Sequence, residues 1–138
     1  MRILAIDPGE KRIGVAVSDP TASIGSPLTV LKHISRPLDA AAIADLATHQ
    51  GVGLIVVGKS LDDDGMPTSA SKRADRLAKA IRQQCDIPIT TWDESFSTLD
   101  ARQARIAMGV PRRKRSGHLD ELAATVILQS YLDWKAGQ

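Results

Sequence analysis

A chain of 138 residues, 43% hydrophobic and 25% charged, has the size and balance of one globular domain spanning residues 1–138, which excludes a disordered or fibrous protein. Its 18 Lys and Arg against 16 Asp and Glu leave a formal charge of only +2, so a polyanionic partner must be met by the distribution of charge rather than its total. Aromatic residues make up 3% of the chain, which excludes a site built mainly on stacked bases and favours contact with a phosphate backbone.

The chain opens with Arg2, an apolar run from Ile3 to Ile6, and then Asp7. That run is too short for a secretory signal, and no window approaches the roughly 20 apolar residues of a membrane span. A cytoplasmic protein with no membrane partner is expected. The single Cys85 cannot close an internal disulfide and reads as a small buried hydrophobe.

Residues 2–7 and 12–18 read as strands joined by the turn Pro8-Gly9, with Ile13, Val15 and Val17 on one face and the small Gly14 and Ala16 on the other. A third strand is predicted at about 26–33. A helix follows Ser35, with Pro37 in its first turn and Ala41, Leu46 and Ala47 on its apolar side. Residues 54–57 form a buried strand, and the polar loop Asp62-Asp63-Asp64-Gly65 leads into a second helix. Ala74, Leu77, Ala78, Ile81 and Cys85 make the apolar stripe of that helix, while Lys72, Arg76 and Lys79 line its basic face. A fifth strand at 87–92 ends at Asp93-Glu94, and Ser97 with Asp100 has the spacing of a capping box for a helix to about Met108. The last helix runs from about His118 to Trp134. The predicted architecture is therefore α/β: one mixed five-stranded sheet, antiparallel hairpin first, flanked by helices.

Three acids stand out by position. Asp7 closes a strand that is apolar on both faces and hence central, at the carboxyl end where open α/β sheets place ligands. Glu94 follows a short strand, and Asp93 beside it points the other way if the extended backbone continues. Asp120 lies near the start of the last helix, above Ala123, Ala124 and Ile127. Small residues there let the helix approach the sheet closely and bring Asp120 towards Asp7 and Glu94. Like charges brought together repel and raise each other's pKa. A hard divalent cation, Mg²⁺ or Mn²⁺, removes the conflict and leaves coordination positions for a phosphate and a water.

The run from Asp7 to Asp19, Asp-Pro-Gly-Glu-Lys-Arg-Ile-Gly-Val-Ala-Val-Ser-Asp, closely resembles the opening motif of the YqgF (RuvX) family of ribonuclease-H-like proteins. Val57-Gly58 with the acidic loop ending at Gly65 is similar to later family segments. So are Asp93-Glu94 with Ser97-Thr98, and Asp120-Glu121-Leu122-Ala123-Ala124 with Ile127-Leu128-Gln129. The resemblance covers nearly the whole chain. It implies a ribonuclease-H-like fold and a metal-dependent nuclease with Asp7, Glu94 and Asp120 as its acids, leaving a 5′-phosphate and a 3′-hydroxyl. It also implies two roles, trimming the 5′ end of precursor 16S ribosomal RNA and resolving Holliday junctions, the second of which calls for a homodimer with two active sites. Two departures stand in this chain: Gly58-Lys59-Ser60 where the family has Gly-x-Pro, and Asp93-Glu94-Ser95 where it has Asp-Glu-Arg.

Rival readings exist. Gly53 to Ser60 fits the pattern of a phosphate-binding P-loop, but its variable residues are aliphatic, and Leu61 and three aspartates follow. An actin-like nucleotide-binding protein opens similarly but needs two such domains. A nucleic-acid-binding module without catalysis would keep the basic surface and lose the metal. His118 reads as an exposed residue at a helix start.

The partner implied by charge is a nucleic acid, RNA or branched DNA. Between Ala101 and Leu119 there is no acid, and that stretch carries Arg112, Arg113, Lys114 and Arg115 in succession. Lys11 and Arg12 on the hairpin are further candidates for phosphate contact. Replacing Arg112, Arg113, Lys114 and Arg115 together by Ala is expected to weaken binding to all sequences alike and to flatten the dependence of affinity on salt. Fluorescence anisotropy at several salt concentrations measures both.

Overall fold

The computed structural model describes residues 1–61, 64–93 and 118–138, with side chains in the last helix described from residue 122 onward. Five strands form one sheet in the order β3-β2-β1-β4-β5. β1 (Arg2–Pro8) and β2 (Arg12–Ser18) pair antiparallel, with Leu4 opposite Val17 and Asp7 opposite Gly14. β3 (Gly25–Lys32) adds antiparallel to β2 and forms one edge. β4 (Val52–Lys59) and β5 (Ile89–Asp93) run parallel to β1. The hairpin-led mixed sheet is thus the one expected, and β1 is its central strand.

The tight hairpin depends on Gly9, whose N–H donates to the Arg12 carbonyl at 2.9 Å. A Cβ there would stand 2.4 Å from that oxygen, so only glycine fits the close approach. The connection between β2 and β3 is built around Asp19, whose carboxylate accepts from the backbone N–H groups of Ser23 and Ile24 and from the Thr21 hydroxyl.

Helices cover both faces. α1 (Arg36–His49) is capped by Ser35, which accepts from Leu38 N, and α2 (Ser69–Arg82) by a reciprocal box between Thr68 and Ser71. Both pack on the face of Leu4, Ile6, Ile13, Val15 and Ile55, through Ala40, Ile43 and Ala47 from α1 and Ala74, Leu77, Ala78 and Ile81 from α2. The α2 stripe is as expected. The α1 face is so only in part: its buried residues are Asp39, Ala40, Ile43, Ala44 and the expected Ala47, while Leu46 packs against the same core from the flank and Ala41 is half-buried. The helix is alanine-rich on nearly every side, so periodicity alone did not select the face. Cys85 is a free thiol and is half-buried against this core rather than fully enclosed.

α3 (His118–Ala136) covers the opposite face, where Ala124, Ile127, Leu128, Tyr131 and Leu132 pack on Ile3, Ala5, Ala16 and Val56. A Cβ on Gly25 would come within 2.9 Å of Leu128, so the helix lies close on β3. Gln129 clips it in place, its oxygen accepting from Gly25 N at 3.0 Å and its amide donating to the Ser23 carbonyl at 3.1 Å. Among the described residues no helix is long and apolar enough to cross a membrane. The expected helix near 97–108 lies outside the described residues.

The bonds to Asp19, that from Ile24 N foremost and then those from Thr21 and Ser23, hold its carboxyl well below the usual carboxylate range. A depressed folded pKa means that its stabilising contribution is present above the unfolded value of about 4 and is lost as pH falls below it. Asp19→Asn is therefore expected to be less stable than the parent at neutral pH, with the gap closing in acid. Urea unfolding at a series of pH values tests this.

Candidate metal centre and nucleic-acid interface

Strand pleat decides which side chains share a face. Ile3, Ala5 and Asp7 alternate onto the face that α3 covers, because Ile3 and Ala5 belong to that core. Asp7 is partly buried at the carboxyl end of β1 and stands opposite Gly14 on β2. On its other side, Ile6 pairs with Val57, so continuing the register sets Gly58 beside it. The carboxylate is thus flanked on both neighbouring strands by residues without side chains.

β5 ends at the same edge of the sheet. Its register pairs Gly58 with Trp92 and Lys59 with Asp93. Trp92 lies on the α3 face, its ring 5.4 Å from Tyr131 and its Nε1 donating to Ser130 Oγ at 3.2 Å. Asp93 alternates to the opposite face, shared with Ile89, which packs against the core under α1 and α2. Glu94 follows immediately and lies outside the described residues, as do Arg112, Arg113, Lys114 and Arg115.

α3 supplies the third element. Gln129 bonds to Gly25, Gly25 pairs with Ser18, and Ser18 Oγ accepts from Ile3 N at 2.8 Å. Position 129 therefore stands at the level of Ile3. Residues beyond it, Tyr131 and Trp134, line a cleft with Met1 and Leu54 at the start of the strands, so the helix climbs towards Asp7 as it runs back to its beginning. From Ile3 to Asp7 the strand rises about 13 Å, and from position 129 to position 120 the helix rises about 14 Å. The backbone at 120 and Asp7 thus come to one level on one face of the sheet. Position 120 is also one turn before Ala124 and two before Ile127, both in contact with the sheet; Ala123, grouped with them from the sequence, is only half-buried.

Hard divalent cations take carboxylate oxygens at strand and helix ends and keep several waters. A carboxylate at a strand end, with glycine opposite it on β2, is of the donor type such an ion takes. Among the described residues no group of three His, Cys, Asp or Glu side chains stands together, with Glu94 and the Asp120 side chain both outside that set.

The cations nearby divide in two. Lys59 reaches away from Asp7 to Asp75 of α2 at 3.9 Å, on the face of the sheet that α1 and α2 cover. Lys11 and Arg12 are exposed on the hairpin. Arg12 is directly opposite Lys32 on β3, and these three with Val30 line an open cleft of about 540 Å³. Like charges opposed across a ladder are unfavourable on their own, which suits a surface that meets phosphate. Lys32 is not evident from the sequence, because its partner depends on the β2–β3 register. The P-loop pattern fails as expected: residues 54–57 lie inside β4, and among the described residues the next helix begins at Ser69.

This sheet and its helices are the ribonuclease-H-like fold of the Holliday junction resolvases. RuvC of Thermus thermophilus in complex with a Holliday junction superposes with a TM-score of 0.64 at 14% identity, covering 100% of this chain and 97% of that one. The fowlpox virus resolvase in complex with its junction DNA gives 0.61 at 14% identity, covering 98% and 99%. The family model described as "RuvX: Holliday junction resolvase" matches residues 1–134. A Syntrophus aciditrophicus protein named "Putative pre-16S rRNA nuclease" is 41% identical over 96% of this chain and 89% of its own length. One of the same name from Thermoanaerobacter pseudethanolicus is 36% identical over 96% of each. The chain belongs to the RuvX family of nucleases.

Proposed function

We propose that this protein hydrolyses phosphodiester bonds at the 5′ end of precursor 16S ribosomal RNA, with Mg²⁺ or Mn²⁺ held by Asp7, Glu94 and Asp120. The observation that carries the reading is the shared level of Asp7 and the first turn of α3 on one face of the sheet, with β5 ending one residue before Glu94. The names of the curated relatives support the ribosomal RNA substrate. The whole chain, residues 1–138, works as one domain, since both of its cores share a single sheet. A cytoplasmic location goes with this substrate.

Ions held by Asp7, Glu94 and Asp120 would supply an activated water and charge compensation for the leaving oxygen. The chain's own residues do the rest. Asp7 is held rigidly because β1 is paired on both sides, so its carboxylate needs no reorganisation during the reaction. Lys11, Arg12 and Lys32 hold flanking phosphates, and Arg112, Arg113, Lys114 and Arg115 add sequence-independent attraction. Asp93, on the opposite face, takes no part.

A second reading, cleavage of four-way DNA junctions by a homodimer, is favoured by the description of the family model. A gel comparing precursor RNA ends with a four-way junction, together with the mass of the protein in solution, separates the two.

Asp7→Asn, Glu94→Gln and Asp120→Asn are each expected to lower the cleavage rate by more than roughly 10²-fold, since even partners behind metal ligands cost that much. They should fold at least as well as the parent in the absence of metal, because repulsion is relieved, and should still bind nucleic acid. Asp93→Asn should retain most of the activity. Cleavage rate against Mn²⁺ concentration, with a thermal melt and a binding titration, tests all four; parental cleavage by Asp7→Asn would favour a non-catalytic binding module.

A further inference from the structure

Behind the hairpin, on the face of the sheet opposite Asp7, lies a second cleft of about 330 Å³. Pro8 and Gly9 form one wall, Ile13 and Leu77 its floor, and Arg36 and Arg73 its charged rim. Arg36 is exposed at the first position of α1 and has no ion-pair partner among the described residues. Arg73 is 33% exposed and meets Glu10 at 3.5 Å, but the Glu10 side chain is 82% exposed. Such a pair at the surface contributes little and exchanges readily for a stronger anion.

The other carboxylate of the cleft is already engaged. Asp39 is 5% exposed, and its oxygens accept from the His33 ring and from Ile34 N at 3.0 Å. Its role is to fix the junction of β3 and α1, which is also tied to the hairpin by His33 N donating to the Lys11 carbonyl at 2.9 Å. The walls are therefore held in place before any ligand arrives, which lowers the entropic cost of binding.

Position matters as much as charge. Pro8 directly follows Asp7, so the two faces of the sheet meet at this edge. Between them, at the tip of the hairpin, stand Lys11 and Arg12, with Lys32 beside them. Cations thus stand at the hairpin tip and, past Glu10, at Arg36 and Arg73 on the far side.

We infer that this cleft binds a backbone phosphate of the substrate strand, beyond the one being cut, with the guanidinium groups of Arg36 and Arg73 as its ligands. Guanidinium forks suit phosphate oxygens, which they grip in pairs. The cleft extends the nucleic-acid interface to the α1 and α2 side of the sheet and makes affinity depend on substrate length. This inference rests on the proposed function, since it requires a nucleic-acid substrate.

The test uses the full chain and two labelled probes, a short single-stranded RNA and the same RNA extended at each end in turn. The parent is expected to gain affinity on extension at one end. Arg36→Ala with Arg73→Ala should lose that gain, and the slope of log affinity against log salt should become shallower by about 1.4, two phosphate contacts at roughly 0.7 each on a single strand. Arg36→Gln, at an exposed site with no described ion pair, should give about half that change without disturbing the fold. Lys79→Ala with Lys135→Ala removes two exposed charges elsewhere and should leave the gain intact. The same titration with a four-way DNA junction tells whether a DNA arm supplies the phosphate instead. If the arginine variants keep the gain and slope while the parent cuts RNA, the cleft is not a phosphate site and the nuclease reading stands. An equal loss in the lysine control likewise assigns the effect to net charge and overturns the cleft. A parent that neither binds nor cuts either probe overturns both.

Discussion

Parallel pairing of β1 with β4, and of β4 with β5, is the constraint on which the site depends. Parallel strands must end at the same edge of the sheet, so residues that close separate strands are brought together however far apart they lie in the chain. Asp7 and the end of β5 meet in this way. The antiparallel β2 contributes something different: it turns back beside Asp7, placing Gly14 against the carboxylate and the cations of the hairpin tip next to it. One acid on a central strand is thereby set between the edge where β5 ends and the cations of the hairpin.

The same face needs a helix that comes close without filling the site. α3 meets that need with Ala124 against the sheet and bulk only further along, at Ile127, Leu128, Tyr131 and Leu132. Gln129, anchored to the β2–β3 connection by three-ångström bonds, fixes how far the helix slides along its axis. A displacement of one residue would rotate the helix by about 100° and shift it by about 1.5 Å, changing which of its residues meet the sheet. Gln129 thus acts at a distance on the geometry of the first turn.

Much of this was legible in the sequence, and what was not has definite causes. The central position of β1 followed from its being apolar on both faces, and the direction of Asp93 from pleat alone. Asp7 could be singled out because a charged residue closing a buried strand is unusual. Register could not be read: that Gly58 neighbours Asp7, and that Lys32 opposes Arg12, depends on pairing between segments whose alignment no local pattern specifies. The buried face of α1 was read only in part, Leu46 and Ala47 but not Ala40, Ile43 and Ala44, because alanines at 40, 41, 42, 44 and 47 give little contrast between sides. Arg36 and Arg73 were not singled out, since only the fold brings α1 and α2 to one cleft. Glu94 and the basic run at 112–115 were found by pattern and lie outside the described residues.

The central claim is convergence of Asp7, Glu94 and Asp120 on one metal. Hydroxyl-radical cleavage of the chain tests it most directly: Fe²⁺ replaces the natural ion, and ascorbate with peroxide cuts the backbone only close to the bound iron. The account predicts cuts clustered near residues 7, 94 and 120, suppressed by excess Mg²⁺ and absent from Asp7→Asn. Cuts confined to the acidic loop at Asp62, Asp63 and Asp64, or a pattern unchanged by Asp7→Asn, would contradict it.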